Sequence, residues 1–160
     1  MTSSDHTPDH AVALAAKEGK GDYSLFGAKH IAEYEATDGE VGHIWNGAPC
    51  LVLTTTGEVS GKERKFALIY GRTGEDEREV VVVASKGGAP EDPQWYSNLV
   101  ANPQVQVQVR GDKWAGTART ADADERPALW SMMNELWPSY DDYQAATDRE
   151  IPLVVISPNP

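Results

Sequence analysis

The sequence predicts a single α+β domain built on a mostly antiparallel sheet that curls into a small barrel, with helices at its periphery. Three observations carry this. The 160 residues are 40% hydrophobic with no compositional break, which suits one buried core. Short runs rich in β formers recur between turn signals, at 50–55, 65–71, 80–83 and 104–110. A long helical pattern enters only late, from Asp122. A sheet made of hairpins removes its exposed edges most economically by curling on itself.

Taken in order, residues 1–9 are expected to be a mobile tail, and 10–18 a short alanine-rich helix with a small apolar face of Val12, Leu14 and Ala15. A second helix is expected over 28–36, where Ile31 and Tyr34 share a face and Asp38-Gly39 supplies the stop. Residues 45–49 read as a turn. The runs 50–55 and 65–71 make a hairpin across the charged loop 57–64, and the acidic turn 74–78 leads to a third strand at 80–83. That valine run ends in Ser85-Lys86-Gly87-Gly88, so a strand delivers a cation and two permissive glycines to one point.

Asp92-Pro93 reads as a helix start, the carboxylate capping and the proline taking the first helical position, and Asn102-Pro103 as its stop. Val105, Val107 and Val109 alternate with glutamines, the pattern of a strand with one wet face. Gly111-Asp112 turns into 113–120, where Trp114 points inward. Asp122 and Glu125 form a capping box for a helix whose Leu129, Met132, Met133 and Leu136 face the core. Pro138 ends it, Tyr140 and Tyr143 lie on a short acidic turn or helix, and 152–157 is the final strand.

A formal charge of −11, from 25 acidic against 14 basic residues, argues against a nucleic-acid partner. The single cysteine, Cys50, rules out an internal disulfide and fits a reducing cytoplasm, and no run is long and apolar enough for a signal peptide or membrane span. Neither GxGxxG nor GxxxxGK[ST] occurs, and no nucleophile elbow is present. His6, His10, His30 and His43 lack ligand-like spacing, so no metal is expected and each reads as a surface or satisfied core residue.

What remains is a cationic set (Lys62, Arg64, Lys65, Lys86), an aromatic set (Trp95, Tyr96, Trp137, Tyr140, Tyr143) and the Gly-rich loop. A cation, backbone donors and a helix N-terminus close together suit a phosphate or carboxylate, although an ordinary strand-to-helix connection has the same local pattern. Core packing explains Trp95 as well as ligand contact does. Residues 138–143 are too polar for a core segment, so Tyr140 and Tyr143 are read as closing a pocket over a flat ligand.

Leu53-Thr54-Thr55-Thr56-Gly57, Ser60-Gly61-Lys62-Glu63-Arg64, Ala84-Ser85-Lys86-Gly87-Gly88-Ala89-Pro90, Trp95-Tyr96-Ser97-Asn98-Leu99, Pro138-Ser139-Tyr140 and Asp148-Arg149-Glu150-Ile151-Pro152 together resemble the deazaflavin-dependent nitroreductase family. The match runs from about Glu40 to Ser157 in the family's order. The resemblance implies a split β-barrel, binding of coenzyme F420, and hydride transfer from the reduced deazaflavin to a quinone, enone or nitroaromatic. Carried over, Ser60, Lys62 and Arg64 would contact the coenzyme's phosphate and oligoglutamate tail. Ala67, Leu68 and Ile69 would line the deazaflavin, Ala84, Ser85, Lys86 and Gly87 would form the strand end that meets ring or phosphate, and Trp95, Tyr96 and Asn98 the contacting helix. Tyr140 would face the acceptor, with Tyr143 a second pocket tyrosine.

Two departures carry consequences. Glu58-Val59 stands where family members often have two basic residues, which shifts the hold on a polyanionic tail to Lys62, Arg64, Lys65 and Lys86. Trp137 replaces a further tyrosine and makes the acceptor pocket more apolar. The expected activity is that of an F420-dependent reductase, monomeric or homodimeric, whose partner is a small electron acceptor. A non-catalytic deazaflavin or flavin carrier is the alternative, and FMN or heme, as in related barrels, fits the Ser85–Gly88 and Trp95-Tyr96 context less well.

Overall fold

The computed structural model describes residues 25–160, and the expectations for 1–9 and 10–18 lie outside them. Helix α1 (Gly27–Thr37) stops where Asp38 turns left-handed at φ 51° and the Gly39 N–H donates to the Tyr34 carbonyl at 2.8 Å. Strands β1 (Ile44–Trp45) and β2 (Ala48–Thr56) follow as a tight hairpin. The turn expected over 45–49 contracts to Asn46-Gly47, whose φ values of 50° and 87° are the left-handed pair of a type I′ turn.

The chain continues through β3 (Glu63–Thr73), β4 (Glu79–Val83), α2 (Gln94–Ala101), β5 (Gln104–Val109), β6 (Asp112–Thr120), α3 (Arg126–Leu136), α4 (Ser139–Ala145) and β7 (Leu153–Pro158). Seven strands lie in the order β1-β2-β3-β4-β7-β6-β5, and a further β2–β5 ladder, with Leu53 opposite Val107, closes six of them into an antiparallel barrel.

Period-2 alternation sorts the side chains into two layers. Leu51, Leu53, Phe66, Leu68, Val80, Val82, Val107 and Val154 fill the barrel, with Trp95 and Leu99 of α2 inserted among them. Val81, Val83, Leu153 and Val155 form an outer layer under Leu129 and Met133 of α3, Trp137 just after it, and Tyr140 and Tyr143 of α4. Strand β4 is thus buried on both faces, which explains its unbroken β-branched run. Gly71 lets α3 approach, because a Cβ there would sit 2.8 Å from the Met133 sulfur.

The capping box ahead of α3 forms as expected: the Glu125 N–H donates to Asp122 Oδ1 at 3.0 Å, and the Asp122 N–H to Glu125 Oε2 at 2.9 Å. The expected Asp92 cap does not form. Pro93 takes the cap position of α2, and Asp92 pairs instead with Arg149 Nη1 at 2.8 Å. A guanidinium brought in by the tertiary fold is a stronger partner than a local N–H.

His30 is buried beneath α1. Its Nε2 lies 2.8 Å from the Gly42 carbonyl, which can only accept, so Nε2 carries the hydrogen and Nδ1 is left without a partner among the described residues. Burial holds its pKa below the ordinary 6.5. The folded chain therefore resists a proton that the unfolded chain takes up, and this share of stability is complete above about pH 6.5 and falls as the pH drops below it. Urea midpoints measured across that range should show a shallower acid decline in His30→Gln than in the native chain. Equal slopes would remove His30 from the account.

Candidate functional site

Strand β3 pairs with β2 from Glu63 to Ile69, but with β4 only from Tyr70 to Thr73. Beyond Val83 the chain leaves β3: the Ala84 N–H donates to the Pro152 carbonyl at 2.9 Å, and residues 85–88 turn away. The barrel wall parts beside the half of β3 that carries Arg64, Ala67, Leu68 and Ile69. Alternation separates the last three. Leu68 points into the barrel, Ala67 lies under Ile31 and Tyr34 of α1, and Ile69 packs half-buried against the outer layer.

At the start of β3, the loop between β2 and β3 is pinned by its own backbone, with the Gly57 N–H on the Lys62 carbonyl at 2.8 Å and the Gly61 N–H on the Gly57 carbonyl at 3.0 Å. Ser60 Oγ accepts from the Lys62 N–H at 3.1 Å. Asn98 holds the loop from behind, its Oδ1 accepting from the Glu58 N–H and its Nδ2 donating to Thr55 Oγ1, both at 3.1 Å. Of the four cations, Lys65 pairs with Glu35 at 2.6 Å and Lys86 with Glu91 at 3.5 Å. Lys62 and Arg64 have no carboxylate within 4.0 Å among the described residues.

The Ser85–Gly88 turn carries backbone strain. Lys86, Gly87 and Gly88 have φ of 46°, 63° and 84°, and the first of these is costly for a residue with a Cβ. Two contacts hold it. Gly88 abuts α4 so closely that a Cβ would lie 2.8 Å from the Tyr143 carbonyl oxygen. Arg149 donates to the carbonyls of Ala89, Ala84 and Ser85 at 2.9, 3.2 and 2.8 Å, and pairs with Asp92. Burial pulls its pKa below the usual guanidinium value, with Asp92 and Glu91 acting against that pull. Arg149 enters the sequence reading only within the resembling stretch Asp148–Pro152, with no role attached to it.

The polarity of 138–143 is misleading. In α4, Ser139, Tyr140 and Tyr143 face inward while Asp141 and Asp142 face solvent, so Tyr140 is 5% and Tyr143 2% exposed. Tyr143 Oη accepts from Trp137 Nε1 at 3.2 Å. The Tyr140 hydroxyl has no hydrogen-bond partner among the described residues, and burial, reinforced by Tyr143 and Cys50, raises its pKa well above the phenol range. Its ring meets Tyr143 edge-on at 6.0 Å, Trp137 meets Trp45 at 5.4 Å, and Trp45 stacks with His30 at 6.3 Å. These aromatic side chains and Ile69 share one layer outside the barrel.

Trp95 lies inside the barrel, 1% exposed, beside Ala84, while Tyr96 is half-exposed with its hydroxyl 2.8 Å from Thr120 Oγ1. A concavity of about 240 Å³ bounded by Thr54, Thr56, Glu63, Gln104, Gln106 and Ala115 contains none of the expected site residues. No helix among the described residues is long and apolar enough to cross a membrane.

A closed antiparallel barrel whose wall parts beside a strained lysine turn is a split barrel, the fold shared with an F420-H2 dependent reductase. The chain belongs to the F420H(2)-dependent quinone reductase family, whose model it matches over residues 28–158. It is 39% identical over 132 residues to an F420H(2)-dependent quinone reductase of Mycobacterium tuberculosis, covering 80% of this chain and 87% of that one. Among solved structures it resembles an F420-H2 dependent reductase, FDR-A, at 41% identity and TM-score 0.61, covering 68% of this chain and 94% of that chain. It also resembles a domain-swapped dimer at 36% identity and TM-score 0.63, covering 81% and 96%.

Proposed function

We propose that the protein reduces a quinone-type acceptor with hydride from reduced coenzyme F420, held where β3 and β4 part. One observation carries the placement: in a chain of net charge −11, Lys62 on the pinned β2–β3 loop and Arg64 at the start of β3 have no carboxylate within 4.0 Å among the described residues. Anionic groups of the coenzyme suit these two cations, Ser60 and Lys86, whose exposed pairing with Glu91 is weak and exchangeable. Ala67, Leu68 and Ile69 on one side and Ala84, Ser85 and Gly87 on the other border the ring site, with Trp95, Tyr96 and Asn98 supporting it from α2.

When bound, the reduced deazaflavin supplies the hydride. The protein's own part is to orient, to exclude water and to handle one proton. The aromatic layer keeps water from the reacting atoms. Tyr140, with its raised pKa, stays protonated at Oη and is fitted to donate to the acceptor oxygen as negative charge develops there.

Titration of the purified chain with F420, with FMN in parallel, tests the cofactor. Saturable F420 binding at micromolar concentration is expected, with Arg64→Ala weakening it roughly tenfold or more, the loss of one charge-assisted contact. Tyr140→Phe should leave that affinity intact and lower kcat for quinone reduction roughly tenfold or more. Unchanged turnover in Tyr140→Phe would end its catalytic role, and binding of FMN alone would overturn the cofactor assignment. Glu58 and the 94%-exposed Val59 on the loop favour one second reading, a deazaflavin carrier, which would bind without turnover.

A further inference from the structure

We propose that the far end of the barrel carries a second anion site, formed by Arg72, Arg110, Tyr70 and His43, that takes a small oxyanion such as a phosphate or a carboxylate. Arg72 lies eight residues along β3 from Arg64, about 26 Å at the rise of a strand, which sets this site apart from the cations proposed for the coenzyme's anionic groups, while Tyr70 follows directly on Ile69 at the border of the ring site. Arg110 reaches the same end because β5 runs antiparallel to β2, with Gln108 opposite Val52, which places the β5–β6 turn near the start of β2.

The hydrogen bonding leaves donors and no acceptor. Arg110 Nε lies 3.3 Å from His43 Nδ1, and a guanidinium N–H can only donate, so Nδ1 accepts and His43 carries its hydrogen on Nε2. That Nε2–H donates to the Tyr70 hydroxyl at 3.0 Å. Tyr70, so engaged as an acceptor, keeps its own O–H hydrogen to give. The Arg72 guanidinium stands over the Tyr70 ring, 5.6 Å from its centroid, also hydrogen-bonds the Tyr70 hydroxyl, and donates through Nη1 to the Glu77 carbonyl at 3.4 Å. Both imidazole nitrogens are therefore used, and the groups left with hydrogens to give are the two guanidinium groups and the hydroxyl of Tyr70, which is itself buried. Burial and the two arginines keep His43 neutral, which preserves this arrangement.

Two further observations point to a ligand. The five ion pairs of the described residues use Lys65, Lys86, Arg119, Arg126 and Arg149; Arg72 and Arg110, like Lys62 and Arg64, have no carboxylate oxygen within 4.0 Å among the described residues, in a chain where acids outnumber bases 25 to 14. Arg110 also holds a left-handed backbone, φ 55°, in a turn position that glycine or asparagine fills more easily. The fold sustains that strain through α1: the Arg110 N–H donates to the Tyr34 hydroxyl at 2.8 Å, and Tyr34 donates to the Cys50 carbonyl at 2.9 Å. The strained turn aims a guanidinium at a site already holding another.

The test is a titration of the full chain with inorganic phosphate at constant ionic strength set by chloride, read by calorimetry and by the NMR signals of the His43 ring. Succinate is titrated in parallel to distinguish a phosphate from a dicarboxylate. Saturable binding of either anion that shifts the His43 signals is expected. Arg72→Gln or Arg110→Gln should weaken it roughly tenfold, equivalent to about 1.4 kcal/mol, and the double variant should abolish it. Arg64→Ala should leave it unchanged, and the double variant should still bind F420. The proposal is overturned if neither anion binds saturably, or if the response persists in the double variant.

Discussion

Arg149→Ala is expected to abolish F420 binding at concentrations that saturate the native chain, while lowering stability by about 3 kcal/mol or more. The side chain is 15% exposed and serves three backbone carbonyls and one carboxylate, so truncation leaves Ala84, Ser85 and Ala89 short of a donor and Asp92 without its cation. The strained backbone at Lys86 and Gly87 then loses what holds it, and the turn relaxes away from the parted strands. Arg149→Lys separates the two effects. A lysine restores the charge opposite Asp92 but cannot span the carbonyls with a planar fork, so stability should recover further than affinity. Urea unfolding and F420 titration on the same samples read both quantities. Native affinity in Arg149→Ala would show that the turn needs no clamp.

Trp95→Ala should cost about 3–5 kcal/mol, the penalty for emptying a large aromatic site in a packed interior. The indole fills the barrel between Leu99, Phe66 and the valines, so its removal leaves a void that six hydrogen-bonded strands cannot collapse around. Trp95→Phe distinguishes this plugging role from the cofactor contact that the resemblance implies. If Trp95 acts by filling the barrel, the phenylalanine variant stays close to native in both unfolding midpoint and F420 affinity. A variant that folds like the native chain yet binds F420 weakly would restore the contact.

Patterns that depend on near neighbours were legible in the sequence. The alternation of Val105, Val107 and Val109, the reciprocal Asp122–Glu125 cap and the Leu129–Met133 face of α3 all appear in the structure, because each is decided within a few residues of chain. Misreadings arose where distant partners decide. Asp92 looked like a helix cap until the fold brought Arg149 against it, from 57 residues away. Residues 138–143 looked too polar for a core segment because Asp141 and Asp142 are acidic, but one turn of helix turns those acids outward and the Tyr140 and Tyr143 rings inward. The site followed the same rule. Ser85-Lys86-Gly87-Gly88 stood out through its glycines, whereas Arg149, which shapes that turn, appeared only inside the resembling Asp148–Pro152 stretch, and Arg110, whose strain is invisible in its letter, had no local signature.

The closure of the barrel also dictates an order of assembly. Strands β2 and β3 meet across a short loop and can zip early, but β4 has only one strand neighbour until β7 arrives, when Val81 finds Val155 more than 70 positions later in the chain. Until that late pairing, a valine-rich segment meant for burial on both faces is open to solvent and to other chains. Contacts so remote in sequence make folding slow, on the millisecond-to-second scale typical of β-barrels, and concentrate the kinetic risk in one event. On a ribosome the nascent protein must wait for Leu153–Pro158 to emerge, so the same ladder that joins β4 to β6 in the mature barrel makes that six-residue strand the gatekeeper between folding and aggregation.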